Sequence, residues 1–261
     1  GSVELTSMLI DAGANFIVDP VVHCVAEDTK NEELMALVKL PERRASAILE
    51  IYETQNNAVQ IIGAILDKAK KARVMGTNRK IDSYLSECEL MYRLLSMFVQ
   101  RLSYIYFQLT PKSEIGNFLV YFADAFLPLL GMSANYEVAI SEIRSLQNLQ
   151  SFLHMTSQGN LSIDDALIVP TQQFTRYPDL IKAVIKVTPK EHDDTAALQK
   201  ALIKYSYIGK TSNERKLIAE SQKELKLVRS ITTINDTTLS TNLDDILFFR
   251  GQFELKEFSP P

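Results

Sequence analysis

The sequence predicts an all-α protein made of long helices, with short helices at its N-terminal end and a single β-strand at its C-terminal end. Three observations carry this prediction. Only nine glycines and nine prolines interrupt the 261 residues. Apolar residues recur at spacings of three and four over long stretches, and the alternation typical of strands is scarce until the last dozen residues.

Composition restricts the classes of function. The net charge of −4 gives no electrostatic support for binding nucleic acid. No apolar run approaches the roughly 20 residues needed to cross a bilayer. Cys24 and Cys88 are the only cysteines, and the N-terminus carries no basic-plus-apolar leader. We therefore expect a cytoplasmic protein with reduced thiols.

Residues 1–41 are expected to form a short helical segment. A helix around Met8 ends at Gly13, Asp19-Pro20 opens another, and Glu32 to Leu40 gives a third. These segments loosely resemble the end of an ankyrin repeat array, and a plain helical extension is the alternative.

Residues 42–229 contain the long helices. The first has apolar residues from Ile48 to Ala69 on one side, and its predicted stop is Met75 to Asn78. Ser113 is the expected N-cap of the third helix, and Asp193 or Asp194 that of the last. The predicted helices run from Arg43 to Arg73, Lys80 to Gln108, Ser113 to Leu130, Asn135 to Gln158, Leu161 to Val187, and Asp193 or Asp194 to Val228.

Residues 230–261 change character. The stretch 230–245 is rich in Thr, Ser, Asn and Asp, as in a linker. Apolar and polar residues then alternate from Phe249 to Lys256, which predicts one β-strand. Because a lone strand is not stable, we expect it to belong to a sheet whose other strands are not in this sequence.

Helix geometry separates exposed from buried candidates. At about 100° per residue, Glu50 falls roughly 200° from Ile48 and is therefore predicted to be exposed. In the stretch QQFTRYPDLIKAVI, Phe174, Tyr177 and Ile181 share one face. Gln172 and Arg176 lie on the opposite face, together with Asp179, so a polar strip follows the outside of a helix that contains Pro170 and Pro178. A solvated helix face is the simpler interpretation of that strip.

Motifs for covalent chemistry are missing from the sequence. His23, His154 and His192 are scattered, without neighbouring ligands at metal spacing. There is no glycine-rich phosphate loop, Gly-x-Ser-x-Gly elbow or His-Glu-x-x-His pair. We therefore predict no catalytic residue, no metal and no cofactor.

The polar strip belongs to a longer pattern that resembles a known family. Glu50 to Gln55 is similar to a Glu-Leu-x-x-Thr-Glu motif, and the stretch Leu167 to Lys182 is similar to the third conserved region of Dbl homology (DH) domains. Further similarities lie at Ile115-Gly116, Asn135-Tyr136, Val187 to Pro189, Leu198 to Leu202 and Asn213-Glu214.

The resemblance implies an elongated bundle of long helices and a function without covalent chemistry. DH domains are guanine nucleotide exchange factors for Rho-family small GTPases, so the implied partner is such a GTPase. By position, Glu50 matches the residue that engages switch I, Gln172 and Arg176 match residues of the contacting helix, and Asn213 matches an asparagine that contacts switch II.

A pleckstrin homology (PH) domain commonly follows a DH domain. The stretch Arg250 to Leu255 is similar to its first strand. Membrane contact is thus expected only through a PH-like domain of which this sequence holds the start, with peripheral recruitment of the full-length protein.

Departures from the family pattern leave two alternatives open. Val169, Gln173, Gln55 and Asp179 stand where the family usually has lysine, arginine, glutamate and leucine. A non-catalytic scaffold with the same fold, which binds a GTPase or another partner without exchange, is the first alternative. In the second, the N-terminal helices cover the Glu50 and Arg176 surface and inhibit exchange.

Overall fold

The computed structural model describes residues 3–11, 32–156 and 161–231, and these residues form a helical bundle. Within them, the only β-type pairing is an isolated bridge between Thr156 and Ser162. The predicted strand from Phe249 to Lys256 and the segment 12–31 lie outside the described residues. The helices are α1 Val3–Asp11, α2 Glu32–Lys71, α3 Arg79–Phe107, α4 Gly116–Phe126, α5 Met132–Ser145, α6 Gln150–Leu153, α7 Ile163–Ala166, α8 Val169–Lys186 and α9 Thr195–Ile231.

Helix α2 is longer than predicted, because the two helices expected on either side of Pro41 are one. Pro41 removes only one backbone hydrogen bond, and the helix continues through it. Glu32 and Glu33 in the first turn, and three lysines in the last, complement the helix dipole. The expected boundary between residues 41 and 42 thus falls inside a continuous helix.

Helix α3 confirms its prediction to within one residue at each end. Asn78 caps it, since its side chain accepts a hydrogen bond from the Lys80 N–H. Buried residues follow the predicted spacing of three and four. They are Ile81, Tyr84, Leu85, Cys88, Met91, Leu95, Phe98, Val99 and Leu102.

Helix α4 begins three residues later than predicted, and Ser113 does not cap it. The Ser113 hydroxyl instead accepts a hydrogen bond from the Thr110 N–H. The cap comes from Asp194, whose carboxylate accepts from the backbone N–H groups of Ile115 and Gly116 at 2.9 and 2.7 Å. The first turn of α4 is therefore satisfied by a residue that lies far away in the sequence.

Three predicted helices are divided in the structure. The third ends at Phe126 and continues as a 3-10 turn, Leu127–Leu129, which contains Pro128. The fourth stops at Ser145 because Leu146 is extended, with φ −95° and ψ 110°. The fifth divides into α7 and α8, and Pro170 lies in the first turn of α8, where a missing N–H costs no helical hydrogen bond.

The centre of the bundle is aromatic, and α8 packs against α9 through it. Tyr177 stacks on Tyr205 with ring centroids 4.4 Å apart. Phe126 lies 5.7 Å from Tyr177, and Phe98 lies edge-on to the same ring at 5.8 Å. Large buried rings of this kind hold the two helices in one relative position.

Helix α1 packs on the start of α2. Val38 of α2 is buried, and Val3 and Met35 pack against it. Among the described residues no single helix meets the length and hydropathy of a membrane span, although one bent pair does, Gly116–Leu129 with Met132–Ser145 at 44°.

Candidate functional site

Glu50 and Arg176 come together at a shallow groove between α2 and α8. The groove has a volume of about 350 Å³, and its other lining residues are Thr54, Asp179, Leu180 and Ala183. Glu50 and Arg176 are both exposed, as helix geometry predicts. The groove therefore presents a carboxylate from one helix and a guanidinium from the other to solvent.

Gln172 lies one turn before Arg176 on the same face of α8. Its side-chain oxygen accepts a hydrogen bond from Arg176 Nη2 at 3.4 Å, and Gln172 is half-buried. One turn further on, Asp179 is 80% exposed and pairs with Lys182 at 3.0 Å. The polar strip is thus a row of paired side chains that a partner molecule can reach.

The opposite face of α8 fixes the direction of this strip. Phe174, Tyr177, Ile181 and Val184 are buried in the core. Because residues four apart lie on one face of a helix, burying this set turns Gln172, Arg176 and Asp179 outward. The sequence prediction for α8 is confirmed in this respect.

Pro178 leaves one carbonyl of α8 without its helical donor, and α9 approaches α8 at that carbonyl. A proline at 178 has no N–H to donate to the carbonyl of Phe174, four residues before it. A Cβ placed on Gly209 of α9 would lie only 2.9 Å from this Phe174 oxygen. Glycine at 209 therefore allows α9 to contact α8 beside the proline.

Asn213 lies one turn beyond Gly209 and is exposed. Helices α8 and α9 run antiparallel, because Tyr177 lies beside Tyr205 while Phe174 lies beside Gly209. One more turn of α9 brings Asn213 to about the level of Pro170, roughly 3 Å along the axis from Gln172. The residue before Asn213, Ser212, is buried, and its hydroxyl shares a hydrogen bond with the Ser133 hydroxyl at 2.7 Å. This contact fixes the rotation of α9 about its axis here.

The four predicted residues thus lie on three helices: Glu50 on α2, Gln172 and Arg176 on α8, and Asn213 on α9. Glu50 and Arg176 share one groove, Gln172 contacts Arg176, and Asn213 belongs to the neighbouring helix. Thr54, Leu180 and Ala183 were not singled out in the sequence. They follow Glu50 or Arg176 by four or seven residues, so helical spacing alone contained the signal.

Three of the departures from the family pattern, Gln55, Gln173 and Val169, are buried. Gln55 and Gln173 are fully buried, and neither side chain reaches the groove. Gln173 Nε2 donates to the Val169 carbonyl at 3.0 Å, whereas both amide atoms of Gln55 lack a hydrogen-bond partner among the described residues. Leaving such groups unpaired costs free energy, so these glutamines affect the interior and not the exposed surface.

Cys88 and His192, the other side chains considered for chemistry, hold buried or hydrogen-bonded positions in the bundle. Within residues 3–11, 32–156 and 161–231 no three His, Cys, Asp or Glu side chains are grouped for a metal ion. Burial raises the pKa of the Cys88 thiol, which disfavours the thiolate. His192 bonds the Pro111 carbonyl through Nε2 and accepts the Asp194 N–H at Nδ1, while His23 lies outside the described residues.

Comparison with protein families matches residues 47–213 to the RhoGEF domain. Rho guanine nucleotide exchange factor 9 from Homo sapiens is 24% identical over 236 residues, which cover 86% of this chain and 43% of that protein. Myosin-M heavy chain from Dictyostelium discoideum is 24% identical over 209 residues, covering 75% of this chain and 12% of the relative. The chain therefore spans less than half the length of the curated relatives it matches.

Solved structures show the same fold. The DH domain of FARP2 matches with a TM-score of 0.58 at 14% identity, over 72% of this chain and 97% of that one. The DH/PH domains of PDZ-RhoGEF, solved in complex with GTP-γ-S activated RhoA, match with a TM-score of 0.63 at 18% identity, over 73% and 58% of the two chains. The bundle is thus a DH fold, in agreement with the resemblance in the sequence.

Proposed function

This chain belongs to the RhoGEF domain family, and from that premise we propose that it is a guanine nucleotide exchange factor for a Rho-family small GTPase. The observation that carries the proposal is the groove where Glu50 of α2 meets Arg176 of α8. These are the two helices whose sequences carry the family's first and third motifs. The relative in complex with RhoA supports a partner of the Rho family.

Exchange of this kind requires differential affinity and no covalent step. A factor that binds the nucleotide-free GTPase more tightly than the loaded one shifts the population toward release. Each 1.4 kcal/mol of that difference in binding free energy changes the ratio of the two affinities about tenfold. A few charge-assisted contacts, each worth roughly 1.5–3 kcal/mol, are therefore enough for a large acceleration.

Each of the four candidate side chains has a proposed role in this difference in affinity. Glu50 holds switch I of the GTPase in a position that opens the nucleotide site. Gln172, Arg176 and Asn213 hold switch II so that it crowds the Mg²⁺ position. Their exposure, and the hydrogen bond that orients Arg176 on Gln172, support this assignment.

The scaffold alternative rests on Gln55, Gln173 and Val169, and all three are buried. Their replacement of charged residues therefore leaves the exposed charges of the groove unchanged. Asp179 is the departure that reaches the surface, so we infer that it influences which GTPase is preferred.

The cellular setting follows from the partner. We infer action in the cytoplasm, in keeping with the low cysteine content of the sequence. Recruitment to a membrane would depend on the PH-like domain expected downstream.

Release of fluorescent GDP from a panel of purified Rho-family GTPases tests the proposal. We expect the 261-residue chain to accelerate release from at least one member. If no member responds while one still binds, the scaffold function replaces exchange. If none binds, the GTPase assignment fails.

A further inference from the structure

Helix α3 carries a regular row of exposed apolar side chains outside the core. Leu90, Met97 and Tyr104 are 40, 58 and 58% exposed. They are spaced by seven residues, so they lie on one face of the helix within about 20° per repeat. The core takes a different face of α3, since Met91, Leu95 and Phe98 are buried.

This row runs into a groove between α3 and α4, which we call the α3–α4 groove. Its volume is about 830 Å³, and Met97 and Tyr104 line it from α3 while Phe118 and Tyr121 line it from α4. Tyr121 is 70% exposed, and its ring lies edge-on to Phe122 with centroids 5.6 Å apart. Large apolar side chains that are exposed side by side, rimmed by polar residues, are typical of a site of interaction.

The groove is locally basic although the chain is acidic overall. Between Leu90 and Gln108 the charged residues are Arg93 and Arg101, and there is no carboxylate. Arg93 pairs with Glu89 at 2.7 Å. Arg101 is exposed, lines the groove, and has no ion-pair partner within the part of the chain that the structure describes. The site therefore favours a partner segment with negative charge.

We propose that the α3–α4 groove binds an amphipathic helix of another protein, with an apolar face in heptad spacing and acidic residues on either side of it. Helix-in-groove recognition uses apolar anchors at such spacings. The row on α3 repeats about every 10.5 Å, which a partner helix reproduces. A polyproline II segment repeats every 9.3 Å or so, and is already roughly 2 Å out of register after two repeats.

Charge also argues against a second copy of this chain as the occupant. Two α3 helices packed antiparallel about Met97 would bring Arg93 of each chain near Arg101 of the other. Two parallel copies would place identical arginines side by side. Like charges at such positions are unfavourable, whereas a glutamate of an acidic helix would complement Arg101, which lines the groove.

The inference depends on the fold and not on the proposed exchange activity. The residues of the groove lie on α3 and α4, whereas the candidate GTPase residues lie on α2, α8 and α9. Binding can therefore be measured on the 261-residue chain without any GTPase.

Fluorescence anisotropy with two synthetic helical peptides tests the proposal. Both peptides carry leucine at heptad positions a and d, one with glutamate and the other with lysine at e and g. We expect the glutamate peptide to bind more tightly. Met97→Ser should weaken it about tenfold through lost apolar contact. Ile203→Ser is the matched control, because Ile203 is 70% exposed on α9 and lies outside the groove.

Arg101→Glu tests the charge argument separately. It should weaken the glutamate peptide by about fivefold, which is the upper range for an exposed ion pair, and strengthen the lysine peptide. Equal affinity for the two peptides, binding of neither, or binding unaffected by Met97→Ser would overturn the proposal. It is also overturned if the 261-residue chain dimerises in sedimentation equilibrium, or binds phosphatidylserine vesicles, and Met97→Ser abolishes that dimerisation or binding.

Discussion

The buried carboxylate of Asp194 joins three helices through one side chain. It accepts hydrogen bonds from Arg44 Nη2 of α2 at 2.8 Å and from the N–H groups of Ile115 and Gly116 at the start of α4. Asp194 itself precedes α9. Desolvation lowers the pKa of Arg44, and the charge and hydrogen bond of Asp194 act against that shift. The buried ion pair therefore depends on complete hydrogen bonding to offset the cost of desolvating its charges.

Asp194→Ala should be strongly destabilising. It leaves the Arg44 guanidinium buried without its counter-charge and removes the cap of α4, so we expect a loss of about 3–5 kcal/mol of unfolding free energy. Urea unfolding measures it. Asp193→Ala, one residue earlier and exposed, is the control and should change stability by less than about 0.5 kcal/mol. Similar values for both variants would contradict this role.

Glu87 should make stability fall as the pH rises. Its Oε1 accepts from Asn135 Nδ2 at 2.8 Å, and its Oε2 is buried without a hydrogen-bond partner among the described residues. Burial raises the pKa of Glu87 above the ordinary value of 4.5, with the Asn135 hydrogen bond opposing the shift. The native state thus holds this proton more tightly than the unfolded chain, and stability is lost as pH rises from 4.5 through the folded pKa.

Glu87→Gln should remove this part of the pH dependence. The neutral side chain needs no ionisation, so we expect the variant to gain stability relative to wild type at neutral pH and the gain to vanish in acid. Urea midpoints compared across the acid-to-neutral range measure it. Glu89→Gln serves as control, because the Glu89 side chain is 38% exposed and its pKa is lowered by the hydrogen bond and charge of Arg93. A constant difference between wild type and Glu87→Gln at every pH would contradict the argument.

At the scale of elements, the contact between α8 and α9 sets the geometry of the candidate surface. Gly209 allows α9 to approach the Phe174 carbonyl that Pro178 leaves without a helical donor. Because Asn213 follows Gly209 by one turn, any shift of α9 here moves Asn213 relative to Gln172. Pro178 and Gly209 therefore act together on how closely α8 and α9 pack.

Gly209→Ala should reduce both stability and exchange. Alanine in a helix is ordinarily better than glycine by about 0.5–1 kcal/mol. Here its Cβ would lie 2.9 Å from a backbone oxygen that cannot rotate away, so we expect a net loss of roughly 1–3 kcal/mol. Thermal unfolding and GDP release measure the two effects. Ser206→Ala on the exposed side of α9 is the control, and a more stable Gly209→Ala would refute the close contact.

Helical periodicity predicted those elements whose signals are local. The apolar spacing of helix α3 is a local signal, and it is confirmed. The stop at Leu146 has no glycine or proline to mark it, and the start of α4 is set by Asp194, 78 residues away. Contacts between distant residues leave no periodic pattern, which explains why these boundaries were missed.

The candidate site likewise has features that local periodicity predicts and features that depend on contacts between distant residues. The exposure of Glu50 and Arg176 was predictable because each lies opposite a buried stripe of its own helix. That they share one groove, and that Asn213 lies near the level of Gln172, depends on how α2, α8 and α9 pack. The burial of Gln55, which interrupts an otherwise apolar stripe, was likewise not predicted from its polarity.

For the molecule as a whole, α1 packs at the end of α2 remote from Glu50. Val3 contacts the Val38 region, which lies about 18 Å along the helix axis from Glu50. A chain beginning at Glu32 keeps the whole of α2 and should accelerate GDP release within about twofold of the 261-residue chain. Faster release by the shorter chain would support inhibition by the N-terminal segment.

The central claim is that the groove between α2 and α8 promotes nucleotide exchange through Glu50. The most direct measurement compares GDP release from the responding GTPase with wild type, Glu50→Ala and Asp67→Ala. Asp67 is an exposed carboxylate on the same helix, about 25 Å further along its axis. We predict a loss of about 10- to 100-fold for Glu50→Ala, equivalent to one charged hydrogen bond, and wild-type rates for Asp67→Ala. Wild-type release by a folded Glu50→Ala variant would contradict the account.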